Sequence, residues 1–420
     1  MQPIVQDGPG KTRPRRLLLC LDGVPHKIIE RVKERGLFDY FGNPTRLLSP
    51  FPTMTNVALS AMFGATPPAG YESLYFDRND RQLHGGVRKY LGRRTPDKIP
   101  SSYMDELDYQ EPLAFEFLIY VAPETVWRTD MQRFHERFRT APQTRDYFAF
   151  LKATDGLLHT QGPERLNVAL ESLDKILKDI RKFCGNETEI VMFSDHGMNL
   201  EENRRISLVT HLRRKNFKVS AELKNGGRVV SIPAFGLCSY AAAYCGDEAL
   251  IPEVAAAVIE IRGVDFAVYR SEGGVMLQSS RGDARLESRA DNRYCYTPTT
   301  GDPLELKPAM ESLRAEGKID TQGFASVDDW FEKTSRHRYP NAVVNIHKSL
   351  STPRVQHTAD VLISMADGYY YGWSPFGKFV NLLATHGNAL ASSSNAFMMS
   401  THRELPAVIV ADGARGWLKG

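Results

Sequence analysis

No pair of cysteines in this chain stands at a spacing that serves a metal or a disulfide framework. The five cysteines, Cys20, Cys184, Cys238, Cys245 and Cys295, are scattered without a C-x-x-C among them, which argues against a thiolate metal site and fits a reducing compartment. Long apolar runs are missing as well. The run Leu17 to Leu21 in "RRLLLCLDG" ends in an aspartate after five residues, too short for a signal peptide or a membrane span. Together these two absences predict a cytoplasmic protein. No charge of one sign dominates either: a net +3 over 420 residues provides no strong field toward a nucleic-acid polymer or a membrane surface. The one basic cluster near the start, "KTRPRR", reads as a solvated tail. There is no internal repeat and no low-complexity segment. What remains is an ordinary globular composition, 42% hydrophobic and 25% charged, at a length that predicts one large α/β domain with an insertion, or two domains.

Two apolar runs end in residues that can carry chemistry. Arg16 to Leu21 reads as a buried strand delivering Asp22, and "TEIVMFSDHG" as another delivering Ser194, Asp195 and His196. Between them, Leu166, Ala169, Leu170, Leu173, Leu177 and Ile180 stand at helical spacing, with Gly185 as the stop. Strand, helix, strand predicts a parallel sheet covered by helices, in which functional groups gather beyond the carboxyl ends of strands. The texture changes after about residue 210. "FKVSAELKNGGRVVSI" reads as a hairpin around Asn-Gly-Gly, followed by a helix, further strands and a polar, turn-rich stretch. "TADVLISMADGYYYG" reads as the return of the core, and "LPAVIVAD" as its last strand. The expected organisation is a tail over 1–14, a first part of the catalytic core over 15–209, an α+β cap over 210–340 and a second part of the core over 341–420.

Thr55, in "SPFPTMTNVALSAMFG", stands between a proline-rich turn and a short apolar helix. A helix beginning at Asn56 would make Thr55 its cap, and Thr53 is the rival hydroxyl two residues upstream. In "ATDGLLHTQGP", Asp155 and His159 are four residues apart, so a helical turn puts both on one face. Asp195 and His196 leave a strand end together, and His386 in "LLATHGNALAS" repeats that placement. Three aspartates, three histidines and a threonine suit a site for two divalent metal ions, zinc or manganese, because imidazole and carboxylate ligands without cysteine keep a metal Lewis-acidic. Two ions about 4 Å apart can hold the attacking and leaving oxygens of an in-line displacement at phosphorus. A threonine hydroxyl beside such an ion becomes a nucleophile without a histidine base, and a helix start favours a phosphoryl oxygen. Asn56 can contact a non-bridging oxygen through its N–H or side chain, or be an ordinary helix-start residue. His26, His357, the aromatic run Gly368 to Trp373 and the basic stretch "GGVRKYLGRR" read as structural or solvated.

Taken in order, "LDG", "PTMTN", "TDGLLHTQGP", "SDHGM" and "THG" resemble the alkaline phosphatase superfamily, and within it the type I phosphodiesterase/nucleotide pyrophosphatase branch. The resemblance covers roughly residues 15–205 and 350–420. It implies an α/β fold, an alkaline-phosphatase-like sandwich with a central, mostly parallel sheet flanked by helices and a smaller α+β cap insertion. It implies that Asp155, His159 and His386 hold one metal ion, and that Asp22, Asp195 and His196 hold the other together with the Thr55 oxygen. The implied activity is metal-dependent phosphoryl hydrolysis of a phosphodiester or pyrophosphate through a covalent phospho-threonine at Thr55. A small phosphorylated or phosphonate molecule is the expected substrate. Carbon–phosphorus cleavage of a phosphonate such as phosphonoacetate is the first alternative, and a phosphatase or mutase of small metabolites the next. The non-enzymatic alternative is an inactive, metal-stabilised relative that binds an anion. Two features depart from the branch: Asn56 follows Thr55 directly, and "PPAGYESLYFD" carries no asparagine where the branch has one contacting phosphate. A sulfatase is not expected, since no C/S-x-P-x-R setting exists. The sequence leaves the oligomeric state open.

Overall fold

The apolar run Leu17–Leu21 lies near the middle of a seven-stranded sheet. Across that sheet the order is Val408–Val410, Thr45–Leu48, Asn395–Ser400, Ile190–Phe193, Leu17–Leu21, Tyr147–Leu151 and Tyr109–Gln110. Neighbouring strands run parallel except Asn395–Ser400, which is antiparallel to both its partners. The computed structural model describes residues 15–86, 99–110, 118–119, 122–224, 226–372 and 381–419. The tail through residue 14, most of "GGVRKYLGRR" and Trp373 lie outside the described residues.

Alternation explains why the central strand is apolar throughout. Leu17, Leu19 and Leu21 face a layer built from Ile28, Ile29, Val126, Phe134, Leu170, Leu173 and Leu177, whereas Leu18 and Cys20 face Ala58, Leu59, Met62 and Phe63. Successive side chains of a strand point to opposite faces, and here helices cover both. Each fully buried leucine of the run contributes about 1.5–3 kcal/mol. The helical stretch Ala153–Cys184 is broken at Gly162 (φ 74°), with Pro163 starting the second helix. Gly185 ends it, as its position in the sequence predicts.

Nine of the strands between Lys218 and Met365 build a second sheet, in the order Ala325–Ser326, Arg293–Gly301, Gly282–Ser288, Gly274–Ser279, Val264–Ser271, Val361–Met365, Tyr240–Cys245, Val229–Ser231 and Lys218–Val219. Two expectations change here. Lys218–Val219 and Val229–Ser231 pair in parallel, not as a hairpin; the intervening chain turns aside, and Glu222 bridges to Gln82. Val361–Met365, expected in the second part of the core over 341–420, lies between Val264–Ser271 and Tyr240–Cys245 in the nine-stranded sheet. Its apolar run suits any fully buried strand, so pattern alone does not say which sheet it joins. The chain re-enters the seven-stranded sheet at Asn395. Among the described residues, no helix is long and apolar enough to cross a membrane.

What places a site is the end of three adjacent parallel strands. Ile190–Phe193, Leu17–Leu21 and Tyr147–Leu151 lie side by side, so Asp195 and His196, Asp22, and the helix carrying Asp155 all emerge at one carboxyl edge. The Asp22 N–H donates to the Leu151 carbonyl (3.0 Å) and the Thr154 hydroxyl to the Asp22 carbonyl (2.7 Å), tying the strand ends together.

A candidate metal centre beside Thr55

Asp22, Asp155, His159, Asp195, His196 and His386 converge at this edge, all buried. Asp155 Oδ1 lies 3.3 Å from His159 Nε2 and 3.6 Å from His386 Nε2. His196 Nε2 lies 3.5 Å from Asp22 Oδ1 and 3.3 Å from Asp195 Oδ2. Ligand atoms of Asp155, His159 and His386 fall within 4.8 Å of one another, as do those of Asp22, Asp155 and His196. Asp155 is therefore common to both groups in this geometry, while Asp195 joins through His196. The rings of His196 and His386 stack at 3.8 Å.

Each of the three imidazoles is oriented in the same way. His159 Nδ1 is 2.7 Å from the Ala384 carbonyl, His386 Nδ1 is 2.8 Å from the Thr53 carbonyl, and His196 Nδ1 is 3.0 Å from the Gly197 carbonyl. A carbonyl only accepts, so each Nδ1 carries the proton and each Nε2 turns a lone pair toward the carboxylates. Acceptor facing acceptor is a repulsive arrangement that a cation resolves. Asp155 Oδ1 and Asp195 Oδ2 fit that reading: both are buried without a hydrogen-bond partner among the described residues. The other Asp195 oxygen accepts from the Gly23 N–H (3.1 Å).

Burial lowers His196 to about 4, and burial together with neighbouring His196 lowers His386 to about 3, so both rings are neutral ligands near pH 7. Burial also disfavours charge on His159, but the Asp155 carboxylate outweighs it and raises that ring. Asp155 is pushed up by burial yet held below the usual carboxylate range by His159, His386 and His196. Burial pushes Asp195 up to about 6, against the Gly23 N–H. The donor set is three imidazole nitrogens and three carboxylates with no thiolate, and it matches zinc or manganese.

Two glycines of the motifs have steric reasons. A Cβ on Gly197 would sit 2.5 Å from the Ser392 carbonyl oxygen and 2.7 Å from that of Asn395. Gly23 has φ +69°, and a Cβ there would meet Met198, Asp155 and His196.

Thr55 is half-buried at the rim of the cluster. It is the first residue of the Thr55–Phe63 helix, and Met54 occupies the cap position with no side-chain capping bond. The expectation of a helix beginning at Asn56 with Thr55 as its cap is thus corrected by one residue. Freed from capping, the Thr55 hydroxyl donates to Asp22 Oδ1 (3.3 Å) and lies 3.3 Å from His196 Nε2. Thr53 is occupied otherwise: its hydroxyl donates to the Asn388 carbonyl (3.2 Å) and accepts from the Gly387 N–H (2.8 Å). It holds the loop of His386. Asn56 Oδ1 accepts from the Tyr103 hydroxyl at 2.7 Å, a neighbour that sequence reading passes over because the segment before Tyr103 carries no recognisable pattern. Lys152, also unremarked in the sequence, follows the Tyr147–Leu151 strand at the same edge.

The residues read as structural are engaged elsewhere. His26 contacts Glu30 and the Pro44 carbonyl, and His357 contacts Asp77 and the Arg78 N–H. Tyr370 and Tyr371 are buried in apolar packing.

Comparison with known proteins adds three findings. Residues 84–293, half of the 420-residue chain, match the model of the type I phosphodiesterase/nucleotide pyrophosphatase family. That stretch holds Asp155, His159, Asp195 and His196, while Asp22, Thr55 and His386 lie outside it. Among solved structures, the chain is similar to phosphonoacetate hydrolase from Sinorhizobium meliloti 1021 in complex with phosphonoformate (13% identity, 97% of this chain and 95% of that one, TM-score 0.53). It is also similar to murine ectonucleotide pyrophosphatase/phosphodiesterase 5 (12% identity, 96% and 94%, TM-score 0.51) and to an inactive form of that protein in complex with AMP (12% identity, 96% and 94%, TM-score 0.52). At these identities the likeness is one of fold. No curated protein matches the chain by sequence.

Proposed function

The chain belongs to the type I phosphodiesterase/nucleotide pyrophosphatase family, metal-dependent hydrolases of phosphoester bonds, and from that premise we propose that Thr55 is its nucleophile and that the six converging side chains hold two divalent ions. Asp155, His159 and His386 would hold one, and Asp22, Asp195, His196 and the Thr55 oxygen the other. When bound, such ions supply Lewis acidity to the attacking and leaving oxygens of an in-line displacement.

The chain's own residues do the rest. Thr55 Oγ1 gives up its proton on the Asp22 side and bonds to phosphorus as the bond to the leaving oxygen breaks, giving a phospho-threonine and a released alcohol or phosphate. A water oxygen then bonds to the same phosphorus, the Thr55 oxygen departs and regains a proton, and two inversions give net retention. The N–H groups at the start of the Thr55–Phe63 helix and its positive dipole end favour negative charge there. A small phosphodiester or pyrophosphate is the proposed substrate and zinc the proposed ion, with manganese as the substitute. Five unpaired cysteines support a reducing, cytoplasmic setting.

One observation carries this reading: three imidazoles, each anchored through Nδ1 to a backbone carbonyl, turn Nε2 toward buried carboxylates, and a threonine hydroxyl lies 3.3 Å from both Asp22 Oδ1 and His196 Nε2 of that cluster. The test compares para-nitrophenyl phosphodiester, para-nitrophenyl phosphate and phosphonoacetate with added zinc or manganese. Metal-stimulated turnover of the diester is expected to exceed the others. Thr55→Ala should abolish turnover at unchanged metal content. An active Thr55→Ala protein, or no metal-stimulated turnover on any substrate, would sink the proposal.

A further inference from the structure

Next to the nucleophile, Asn56 offers an amide that can present either its oxygen or its two N–H donors, and the structure fixes which. Tyr103 heads the short Tyr103–Glu106 turn, whose start is locked twice: the Ser102 hydroxyl accepts from the Met104 N–H, and the Asp105 carboxylate accepts from the Ser102 N–H. The ring is clamped in the apolar layer with Leu59, Met62, Phe148 and Phe150. Burial raises the phenol above its usual range; Lys152 opposes this, and the charges of Asp195 and Asp22 add to it. The Asn56 atom 2.7 Å from the phenol oxygen is Oδ1, which only accepts, so the Tyr103 hydroxyl is the donor of this bond. The amide nitrogen is then turned to the opposite side of the same planar group.

We propose that Tyr103 is a positioning residue: its hydroxyl fixes the Asn56 amide so that Nδ2 donates to a non-bridging oxygen of the phosphoryl group attacked by Thr55. This rests on the function proposed above. A side-chain donor aimed in advance costs no reorganisation when charge develops on that oxygen, and removal of one such donor from other active sites lowers kcat by roughly 100- to 1,000-fold. A donor that is present but free to rotate costs less, on the order of tenfold.

The experiment is a double-mutant cycle on the zinc-loaded enzyme with bis(para-nitrophenyl) phosphate, in which Asn56→Ala, Tyr103→Phe and the double variant are compared for kcat, KM and bound metal. Asn56→Ala should lower kcat by roughly 100-fold. Tyr103→Phe should lower it by about tenfold with little change in KM or metal content, and should have no effect in the Asn56→Ala background. Asn56→Asp keeps the acceptor for Tyr103 and loses the donor, so it should melt like the parent and turn over like Asn56→Ala. Multiplying losses in the double variant, a parental kcat in Tyr103→Phe, or an active Asn56→Asp protein would each overturn the assignment. Thr55→Ala, measured alongside, reports separately on the nucleophile: if it stays active, the underlying function fails, whatever Tyr103 does.

Discussion

Replacing Gly197 with alanine tests the argument that the "SDHG" turn exists to aim His196. The added Cβ would lie 2.5 Å and 2.7 Å from two main-chain carbonyl oxygens, those of Ser392 and Asn395, well inside the ~3.3 Å of an ordinary carbon–oxygen contact. Neither can swing away as a side chain would, because Asn395 begins a strand paired on both sides. Gly197 itself must move, although its N–H bonds the Ser393 carbonyl (2.7 Å) and its carbonyl anchors His196 Nδ1. Overpacking of this kind costs about 1–3 kcal/mol. Global stability is a poor place to see it: at ~2.1 cal/mol/K per residue, the unfolding entropy of 420 residues makes that a shift of only about 1–3 °C in Tm. The metal is the sensitive readout, since loss of a partner that orients a ligand lowers metal affinity by roughly 10- to 100-fold. Titration of the Gly197→Ala protein against a chromogenic zinc chelator should show that drop, with turnover recovered at high zinc. Parental zinc affinity and parental turnover would refute the claim that this glycine positions His196.

Thr53→Val should remove the hydroxyl that bonds Gly387 and Asn388, leaving buried groups unpaired at about 1–3 kcal/mol each. Turnover should fall through weakened metal binding and recover with added zinc, unlike that of Thr55→Ala. Chelation of the metal-loaded protein should lower Tm, because the folded state alone presents the converged ligands; an unchanged melting curve would mean that no ion is held there. Asp130 supplies a pH test. Burial pushes its carboxyl from 3.8 up to about 7, against the Tyr109 hydroxyl that donates to it. The folded state therefore holds this proton to higher pH than the unfolded chain, and stability is lost as pH rises from about 4 to 7. The roughly three-unit gap corresponds to about 4 kcal/mol. Asp130→Asn should match the parent near pH 4 and melt higher than it at pH 8, and a constant difference across that range would contradict the burial argument.

Of the proposed ligands, Asp22, Asp155, His196 and His386 stand out in the sequence because each is next to a glycine a few residues behind an apolar run, and both features have local causes. Continuous burial makes the strands apolar, and the close approach of main chain at Gly197 and of Asp155 and His196 at Gly23 leaves no room for a side chain. The helix signal of Leu166 to Ile180 read correctly for the same local reason. What stayed hidden was set at a distance. Tyr147–Leu151 pairs with Leu17–Leu21 but announces itself only as a short aromatic run. Val361–Met365 could have joined either sheet. Lys218 to Ser231 has the composition of a hairpin, yet the pairing that forms is parallel. Tyr103 meets Asn56 from 47 residues away, and no period in the sequence encodes such a contact.

The single antiparallel strand, Asn395–Ser400, also governs when this molecule can be finished during its synthesis. It fills the gap between Ile190–Phe193 and Thr45–Leu48, and His386 is delivered by the segment just before it. On a ribosome adding about 5–20 residues per second, the two waiting strand edges stay open for roughly 10–40 s after Phe193 emerges. Through that interval Asp22, Asp195 and His196 stand at an unclosed sheet edge. The proposed ligand set therefore closes only after the segment carrying His386 and the strand behind it have been made, and until then the nascent chain is most exposed to edge-to-edge association at the two strands that frame the gap.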